Sequence, residues 1–571
     1  MYRPSAKQAG GRYYPHEDPI QMKLTLTRAS LIAACAVIVA ACTDSNVLTV
    51  QNKNNPDVAR AYSTPAGVES IIGSLYQQFN NGWNTTNVEP ATAVMSLEGF
   101  STVANFCMNV RDALLPPQAI ANGLGNQCDG QNLADFSNFQ KLARNAANLV
   151  LALDGITKGN GTTGTAAQDA RDRGFAQFVG GISLGMTALM YDSGAVVNSQ
   201  VPSDAIPDLS GYQTVMTAAL ALIDSALATA GGPAAAAAYP LPSAWINGNP
   251  MTQAQFVAFM HSWKARLRAG VARTPAERAA VNWASVIADA TAGITGDVSV
   301  TMGGGWNCSY DCSQMYVAVG WHEMTLMILG MADTSGAYKT FIGQSLSTRD
   351  GSQLLIRTPD LRLPQGATRA AQNTDTPYAT APFTVGRYFN NRLPADDFAG
   401  AGYGSSMYDH KRWLSIYKAS GVGPMVQWSK TENDMLAAEG YIYAGNFTAA
   451  AALIDASRAK HGLPSIGVIA SATQPIAGGN ACVPQVPQPP AFNTTACGSI
   501  LEAMKWEKRM ETAFATAYSW FQDSRGWGDL PAGQPFQWPV PNEEMNSRQH
   551  PFYNMGGLGL PGGAAKGTYG F

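Results

Sequence analysis

The chain has 571 residues, of which 13% are charged, and its formal net charge is −3. This length permits a large core or two domains. The small net charge and the lack of a basic block argue against nucleic acid as the main partner. Glycine (57 residues) and proline (33 residues) are abundant, which predicts much irregular backbone between the helices.

The N-terminal stretch is typical of an exported lipoprotein. A positive segment with Lys23 and Arg28 precedes an apolar run over residues 31–41. This run is too short to span a bilayer, so it predicts a signal peptide, residues 1–41, with Met22 as the true start. The run ends at Cys42 in Val-Ala-Ala-Cys, which resembles the lipobox of bacterial lipoproteins and predicts lipidation of Cys42. The alternative is an ordinary signal peptide with an unmodified cysteine.

Six cysteines follow Cys42, and an even number in an exported protein predicts disulfides. Loop closure favours pairing between neighbours. We therefore expect three local pairs: Cys107–Cys128, Cys308–Cys312 and Cys482–Cys497. The spacings lack the second cysteine or histidine pair of a zinc site, so no metal site is predicted.

A tether over residues 42–62 leads into a helical scaffold over residues 63–295. Its clearest pattern runs from Phe175 to Met190, with apolar residues at spacings of three and four. Gly181 and Gly185 on this helix predict a close approach by another helix. Thr274 and Glu277 predict a capping box at a later helix start.

The helical period fades over residues 296–430, which we interpret as a loop-rich, ligand-binding region with short strands. Helices return over residues 431–571. A hairpin ends near His461, and one long helix is predicted from Ser499 through Phe521. It stops near Gly528, where glycine takes the left-handed conformation, and a proline-stiffened tail follows.

Three stretches resemble the SusD/RagB-like nutrient-uptake lipoproteins of the bacterial outer membrane. They are the hairpin 432–464 with Ala438-Glu439-Gly440-Tyr441, the helix from Glu507-Lys508-Arg509-Met510-Glu511 to Trp527-Gly528-Asp529-Leu530, and the tail Pro539-Val540-Pro541-Asn542-Glu543-Glu544-Met545-Asn546. The glycines around Trp527 and the glycine-rich end, residues 556–571, depart from the family pattern.

The resemblance implies a mainly α fold: a tetratricopeptide-like scaffold of helix pairs with a large irregular insertion and few short strands. It implies a lipid-anchored protein on the outer-membrane surface that captures oligosaccharides, or peptides, for a SusC-like TonB-dependent transporter. No cofactor and no catalysis are implied.

Sugar recognition needs flat apolar surfaces together with amides and carboxylates. The loop carrying Trp306, Asn307, Tyr310 and Asp311 concentrates such groups around Cys308 and Cys312, whose proposed disulfide would make the loop rigid. Trp83 is a second candidate ligand-binding residue. The alternative for each aromatic ring is a place in the core.

Two other classes of protein remain as hypotheses, a surface glycoside hydrolase and a non-catalytic helical-repeat scaffold. Glu507 and Glu511 are the carboxylates for the first, but they lie one helical turn apart rather than across a cleft. A structural network with Lys508, Arg509 or Arg525 is the favoured interpretation of both.

Overall fold

Helix pairs dominate the computed structural model, which describes residues 62, 64–84, 87–101, 107–108, 117–123, 125, 129–158, 164–316, 323–375, 387–394 and 405–570. The described helices, in chain order, are α1 (Pro65–Trp83), α2 (Glu89–Met95), α3 (Asp129–Lys158), α4 (Ala166–Met190), α5 (Tyr212–Thr229), α6 (Gln253–Gly270), α7 (Pro275–Ala279), α8 (Trp283–Thr291), α9 (Leu326–Met331), α10 (Ala337–Gly343), α11 (Arg369–Thr374), α12 (Leu414–Lys418), α13 (Lys430–Tyr443), α14 (Phe447–Lys460), α15 (Ile500–Thr512), α16 (Ser519–Trp527) and α17 (Asn542–Ser547). The mainly α fold predicted from the sequence is confirmed.

The strands are short and pair in small antiparallel sheets. They are β1 (Ser193–Ala195) with β2 (Leu209–Gly211), β3 (Val298–Met302) with β7 (Gly423–Trp428), β4 (Glu323–Thr325) and β5 (Phe389–Asn391) on either side of β6 (Ser405–His410), and β8 (Gln485–Pro487) with β9 (Thr495–Cys497). In the β3–β7 pair, Ser299 lies opposite Val426 and Thr301 opposite Pro424. Most strands therefore lie in the region where the helical period fades.

Helix α4 is the centre of the N-terminal part, since it packs against α3, α5 and α6 and is buried on all sides over its second half. A Cβ atom at Gly181 would lie 2.7 Å from a side-chain carbon of Ile223 in α5. One at Gly185 would lie 2.6 Å from Leu267 in α6. The close helix approach predicted from these two glycines is confirmed.

The C-terminal helices form a second layer of pairs. Helices α13 and α14 make the predicted hairpin, turning at Gly445 with a φ of 72°. Helix α13 also packs against α8 and α15, which joins the hairpin to the rest of the scaffold. All described residues belong to one compact unit, Tyr62–Phe571, so the predicted boundaries at 295/296 and 430/431 fall inside it.

The prediction of one long helix from Ser499 to Phe521 is wrong. The chain leaves the helix after Thr512 and re-enters it at Ser519, with a positive φ at Phe514 (48°) and Tyr518 (67°). Tertiary contacts hold the break open, because the Phe514 amide donates to Glu98 at 2.8 Å. The predicted stop at Gly528 is confirmed, with a φ of 78°.

The capping prediction at Thr274 is half right. The Thr274 hydroxyl accepts the Glu277 amide at 3.2 Å, but the Glu277 carboxylate accepts the amide of Arg273 rather than of Thr274. A complete capping box lies instead at the start of α6, between Thr252 and Gln255.

The proline-stiffened tail returns to the N-terminal helices. The Trp538 amide donates to the carbonyl of Met190 at 2.8 Å, and the Asn132 side chain donates to the carbonyl of Pro539 at 3.1 Å. The Tyr553 hydroxyl reaches Asp192 at 2.5 Å. These bonds fasten the C-terminal tail to the N-terminal helices.

The disulfides Cys308–Cys312 and Cys482–Cys497 are present, with Cα atoms 5.5 and 5.8 Å apart. Cys107 is also disulfide-bonded, but Cys128 lies outside the described residues, so that pairing stays a prediction. The signal peptide, Cys42 and nearly all of the tether lie outside them as well. None of the described helices is both long and apolar enough to cross a membrane.

Candidate functional site

The aromatic side chains predicted to bind a ligand lie in the hydrophobic core. Trp83 is 1% exposed and donates from its indole N–H to the carbonyl of Ala517 at 3.2 Å. Trp306 is 6% exposed, and its ring centre lies 6.3 Å from that of Tyr76. Tyr310 and Asp311 are also buried. A ligand in solution does not meet these rings in this conformation.

Asn307 differs from its four companions because it is exposed. Its backbone is fixed on both sides, since its amide donates to the side chain of Asn81 and its carbonyl accepts from Asn80, both at 2.9 Å. Gly303, Gly304 and Gly305 precede it with positive φ angles of 103°, 62° and 93°. The loop is therefore held rigidly, but with its aromatic rings turned inward.

An open cavity of about 680 Å³ lies between the loop-rich region and the C-terminal helices. It has an aliphatic wall formed by Ile416, Ala419, Val422, Pro424 and Val426. Small polar side chains face it as well: Asp297, Ser299, Ser415 and Thr431. Its size is within the range of small-molecule sites, which combine apolar walls with a few placed polar groups.

Charged side chains also line this cavity: Arg387, Arg412, Lys460, His461 and Glu511. They come from four segments. Arg387 precedes β5, Arg412 precedes α12, Lys460 and His461 end α14, and Glu511 lies in the last turn of α15. The cavity therefore depends on the contact between the irregular region and the hairpin.

Glu511 is bound on three sides. Its carboxylate accepts from His461 at 2.8 Å, from the Tyr388 hydroxyl at 3.2 Å and from Arg362 at 3.2 Å. Burial alone would raise the pKa of Glu511, but the hydrogen bond to His461 and the charges of His461 and Arg362 hold it well below its usual range. This carboxylate is ionised at neutral pH and is not suited to donate a proton.

Glu507 lies beneath the cavity and not in its lining. It accepts from Arg362 at 3.0 Å and from the Ser457 hydroxyl at 2.7 Å, and it is fully buried. The predicted structural role of Glu507 and Glu511 is confirmed, but the predicted partners are wrong. Lys508 and Arg509 bond instead to Asp523 and Asp529, because they leave the helix on its other faces.

Arg525, the third predicted partner, donates to the carbonyls of Phe536 and Gly270 at 2.7 and 2.9 Å. It therefore ties the tail to α6 and has no part in the carboxylate cluster. Sequence spacing could not show this, since both acceptors are backbone carbonyls and that of Gly270 is 255 residues away.

A second group of acids lies in the interior around Asp311. Burial raises the pKa of Asp311 to about 7, although the neighbouring Glu89 and Arg412 oppose the shift. Burial and the nearby charges of Asp311 and Glu98 raise the pKa of Glu89 as well. Within the described ranges, no group of three or more histidine, cysteine or acidic side chains is arranged to hold a metal ion.

Solved structures supply the comparison that sequence does not. No family model matches the chain, and no curated protein matches it. A SusD-like protein from Bacteroides fragilis NCTC 9343 aligns over 88% of this chain and 98% of its own, with 12% identity and a TM-score of 0.52. A SusD homolog from Bacteroides thetaiotaomicron VPI-5482 aligns over 88% and 99%, with 10% identity and a TM-score of 0.52.

At such low identity the likeness concerns the backbone arrangement. The chain has the SusD-like fold, a tetratricopeptide-like helical scaffold with a large irregular part, and the resemblance predicted from three short stretches of sequence is confirmed at that level.

Proposed function

We propose that the protein is a substrate-binding lipoprotein of the outer membrane. It captures oligosaccharides at the cavity between the loop-rich region and the C-terminal hairpin, and it delivers them to a TonB-dependent barrel. The SusD-like fold supports this class of protein. The cavity itself, with its aliphatic wall and ring of polar side chains, is the observation that carries the proposal.

The same cavity favours binding over hydrolysis. A glycosidase needs one carboxylic acid that keeps its proton and a second carboxylate opposite it. Glu511 is held ionised by three donors, and Asp297 accepts the backbone amide of Lys430 at 2.7 Å. Both acids are therefore engaged in holding the fold. An uninterrupted helical scaffold is also disfavoured, because strands and loops form most of the lining.

A pair of tryptophan substitutions tests the location of the site. Ala419 is exposed at the wall of the cavity, so Ala419→Trp is expected to fill it and to weaken oligosaccharide binding at least about ten-fold. Ala228→Trp, on the exposed face of α5, is the matched control and is expected to leave affinity unchanged. Calorimetry with a panel of oligosaccharides measures both. Equal affinities in the two variants contradict the proposed site.

The partner is tested separately. We expect a TonB-dependent barrel to co-purify with the full chain from solubilised outer membranes. Recovery of the chain without any such barrel contradicts delivery to a transporter, and binding of peptides but of no oligosaccharide contradicts the proposed ligand.

A further inference from the structure

Arg412 is a buried cation without a carboxylate partner among the described residues. It is 4% exposed, and no described acidic oxygen lies within the 4.0 Å of an ion pair. Its hydrogen bonds to the described chain all come from Nη1, which donates to the carbonyls of Glu511 and Ala513 at 2.8 and 3.2 Å. Neutral carbonyls orient the guanidinium but form no ion pair with it, and the acids that feel its charge, Glu511 and Asp311, lie beyond ion-pair distance.

The orientation of Arg412 is fixed on a second side. Its guanidinium carbon lies 4.2 Å from the centre of the Tyr388 ring and 5.0 Å from that of Trp413. Stacking of this kind holds the planar group in place and leaves its edge for a planar anion. Arg412 also lines the cavity that a ligand would fill.

The other charges around the cavity do not supply the missing anion. Glu511 is engaged by His461 and Arg362, and Asp297 caps the start of α13 through the Lys430 amide. Lys460 adds a further exposed cation to the lining. Among the described lining residues, two cations, Arg412 and Lys460, therefore lack an ion-pair partner, against one anion, Asp297.

We propose that the cavity takes a carboxylated oligosaccharide, such as one built from uronic acid units, and that Arg412 binds its carboxylate. This deepens the proposed function and rests on it. Arginine matches the two oxygens of a carboxylate with paired N–H donors. Ser299, Ser415 and Thr431 line the same space with hydroxyl groups, which suit the many hydroxyls of a sugar.

The test compares each acidic oligosaccharide with its own methyl ester. Tetragalacturonate and an alginate tetramer are titrated into the purified full chain, each beside the fully esterified form, which keeps the rings and loses the charge. We expect the acid of at least one pair to bind about ten-fold more tightly. We also expect this preference to fall at least several-fold as salt rises from low to about 0.5 M.

Arg412→Gln is expected to abolish the preference for the acid over the ester. Arg387→Gln tests the other arginine of the lining, which is paired with Asp375 at 2.8 Å. Arg173→Gln is the matched control, because Arg173 is paired with Asp154 at 2.7 Å and does not line the cavity. It should change the preference less than two-fold. Arg412 supports the break after α15, so the thermal unfolding of Arg412→Gln is measured alongside its binding. If this variant does not fold, Arg412→Lys, which keeps the charge, takes its place and should retain part of the preference for the acid.

The outcomes separate this inference from the proposed function. Equal binding of acid and ester, or preferential binding of neutral oligosaccharides, overturns the inference and leaves oligosaccharide capture intact. Binding of acidic peptides without any saccharide overturns both. Loss of the preference in Arg387→Gln but not in Arg412→Gln assigns the anion to another side chain and overturns the role of Arg412.

Discussion

Two buried arginines that contact Glu511 show how the same type of side chain serves two purposes. Arg362 is fully buried and lies 2.8 to 3.2 Å from the carboxylates of Asp360, Glu507 and Glu511. Arg412 is nearly as buried but contacts Glu511 only through its backbone carbonyl. The first arginine has its charge satisfied within the fold, whereas the second lines an open cavity. Charge balance, and not burial, distinguishes the structural region from the candidate site.

The largest effect is expected from breaking the satisfied cluster. Arg362→Gln would leave Asp360, Glu507 and Glu511 buried together without their shared cation, and uncompensated buried charges cost about 3–5 kcal/mol of stability. We expect this loss in the free energy of unfolding measured with urea. Ligand affinity of the folded fraction should change little, since Arg362 does not line the cavity.

Arg387→Gln provides the control for that measurement. Its pair with Asp375 is partly exposed, so its loss should cost less than about 1 kcal/mol. If Arg362→Gln is as stable as Arg387→Gln, the carboxylate cluster does not depend on Arg362.

The loop residue Trp306, predicted from the sequence to bind a ligand, is part of the core, as Arg362 is. Trp306 packs in the core beside Tyr76, so Trp306→Ala removes a large buried side chain and is expected to cost about 3 kcal/mol. Ligand affinity should stay within two-fold of the unmodified protein. Thermal unfolding and calorimetry on the same samples measure both, and a large loss of affinity with intact stability would return the loop to the binding site.

The scaffold was predictable because its signals are local. The apolar period of α4, the turn at Gly445 and the stop at Gly528 each depend on residues a few positions apart. The break after Thr512 has no such signal, since neither glycine nor proline lies between Thr512 and Ser519. It exists because Glu98 and Arg412, distant in sequence, bond to the backbone there.

The candidate cavity was predicted only as a region. Residues 296–430 do supply most of the cavity lining, as their irregular composition suggested. The residues chosen from the sequence are not part of this lining, because aromatic content does not say which way a ring faces, and Trp306 is buried. Arg412 carries no sequence signal, since its meaning depends on the fact that no described carboxylate lies within ion-pair distance of it in three dimensions.

Asp311 is a buried acid whose shifted pKa makes the stability of the fold depend on pH. Its pKa of about 7 in the folded chain lies above its ordinary value of 3.8, because burial disfavours the charged form. As pH rises from about 4 to 7, the unfolded chain loses this proton first, so the folded state loses stability across that window. Asp311→Asn should remove the penalty and raise stability at pH 8 by on the order of 2 kcal/mol.

Denaturation midpoints at pH 4.5 and pH 8 measure that effect. The variant and the unmodified protein should be close at the lower pH and diverge at the higher one. Glu511, whose pKa is held low, is expected to act in the opposite sense, so Glu511→Gln should lower stability at pH 8. A stabilising effect of Asp311→Asn at pH 4.5 but not at pH 8 contradicts the assigned direction.

The smallest effect is expected from Lys460, which ends α14 as an exposed cation at the cavity. Its charge is screened by water, so Lys460→Gln should leave the free energy of unfolding within about 0.5 kcal/mol. Because it is exposed, its contribution to a bound carboxylate should also be limited to about two- to three-fold in affinity at low salt, vanishing at about 0.5 M salt. Calorimetry at the two salt concentrations resolves this difference. An effect of Lys460→Gln as large as that of Arg412→Gln would show that the preference for anions comes from the general positive charge of the cavity and not from one oriented arginine.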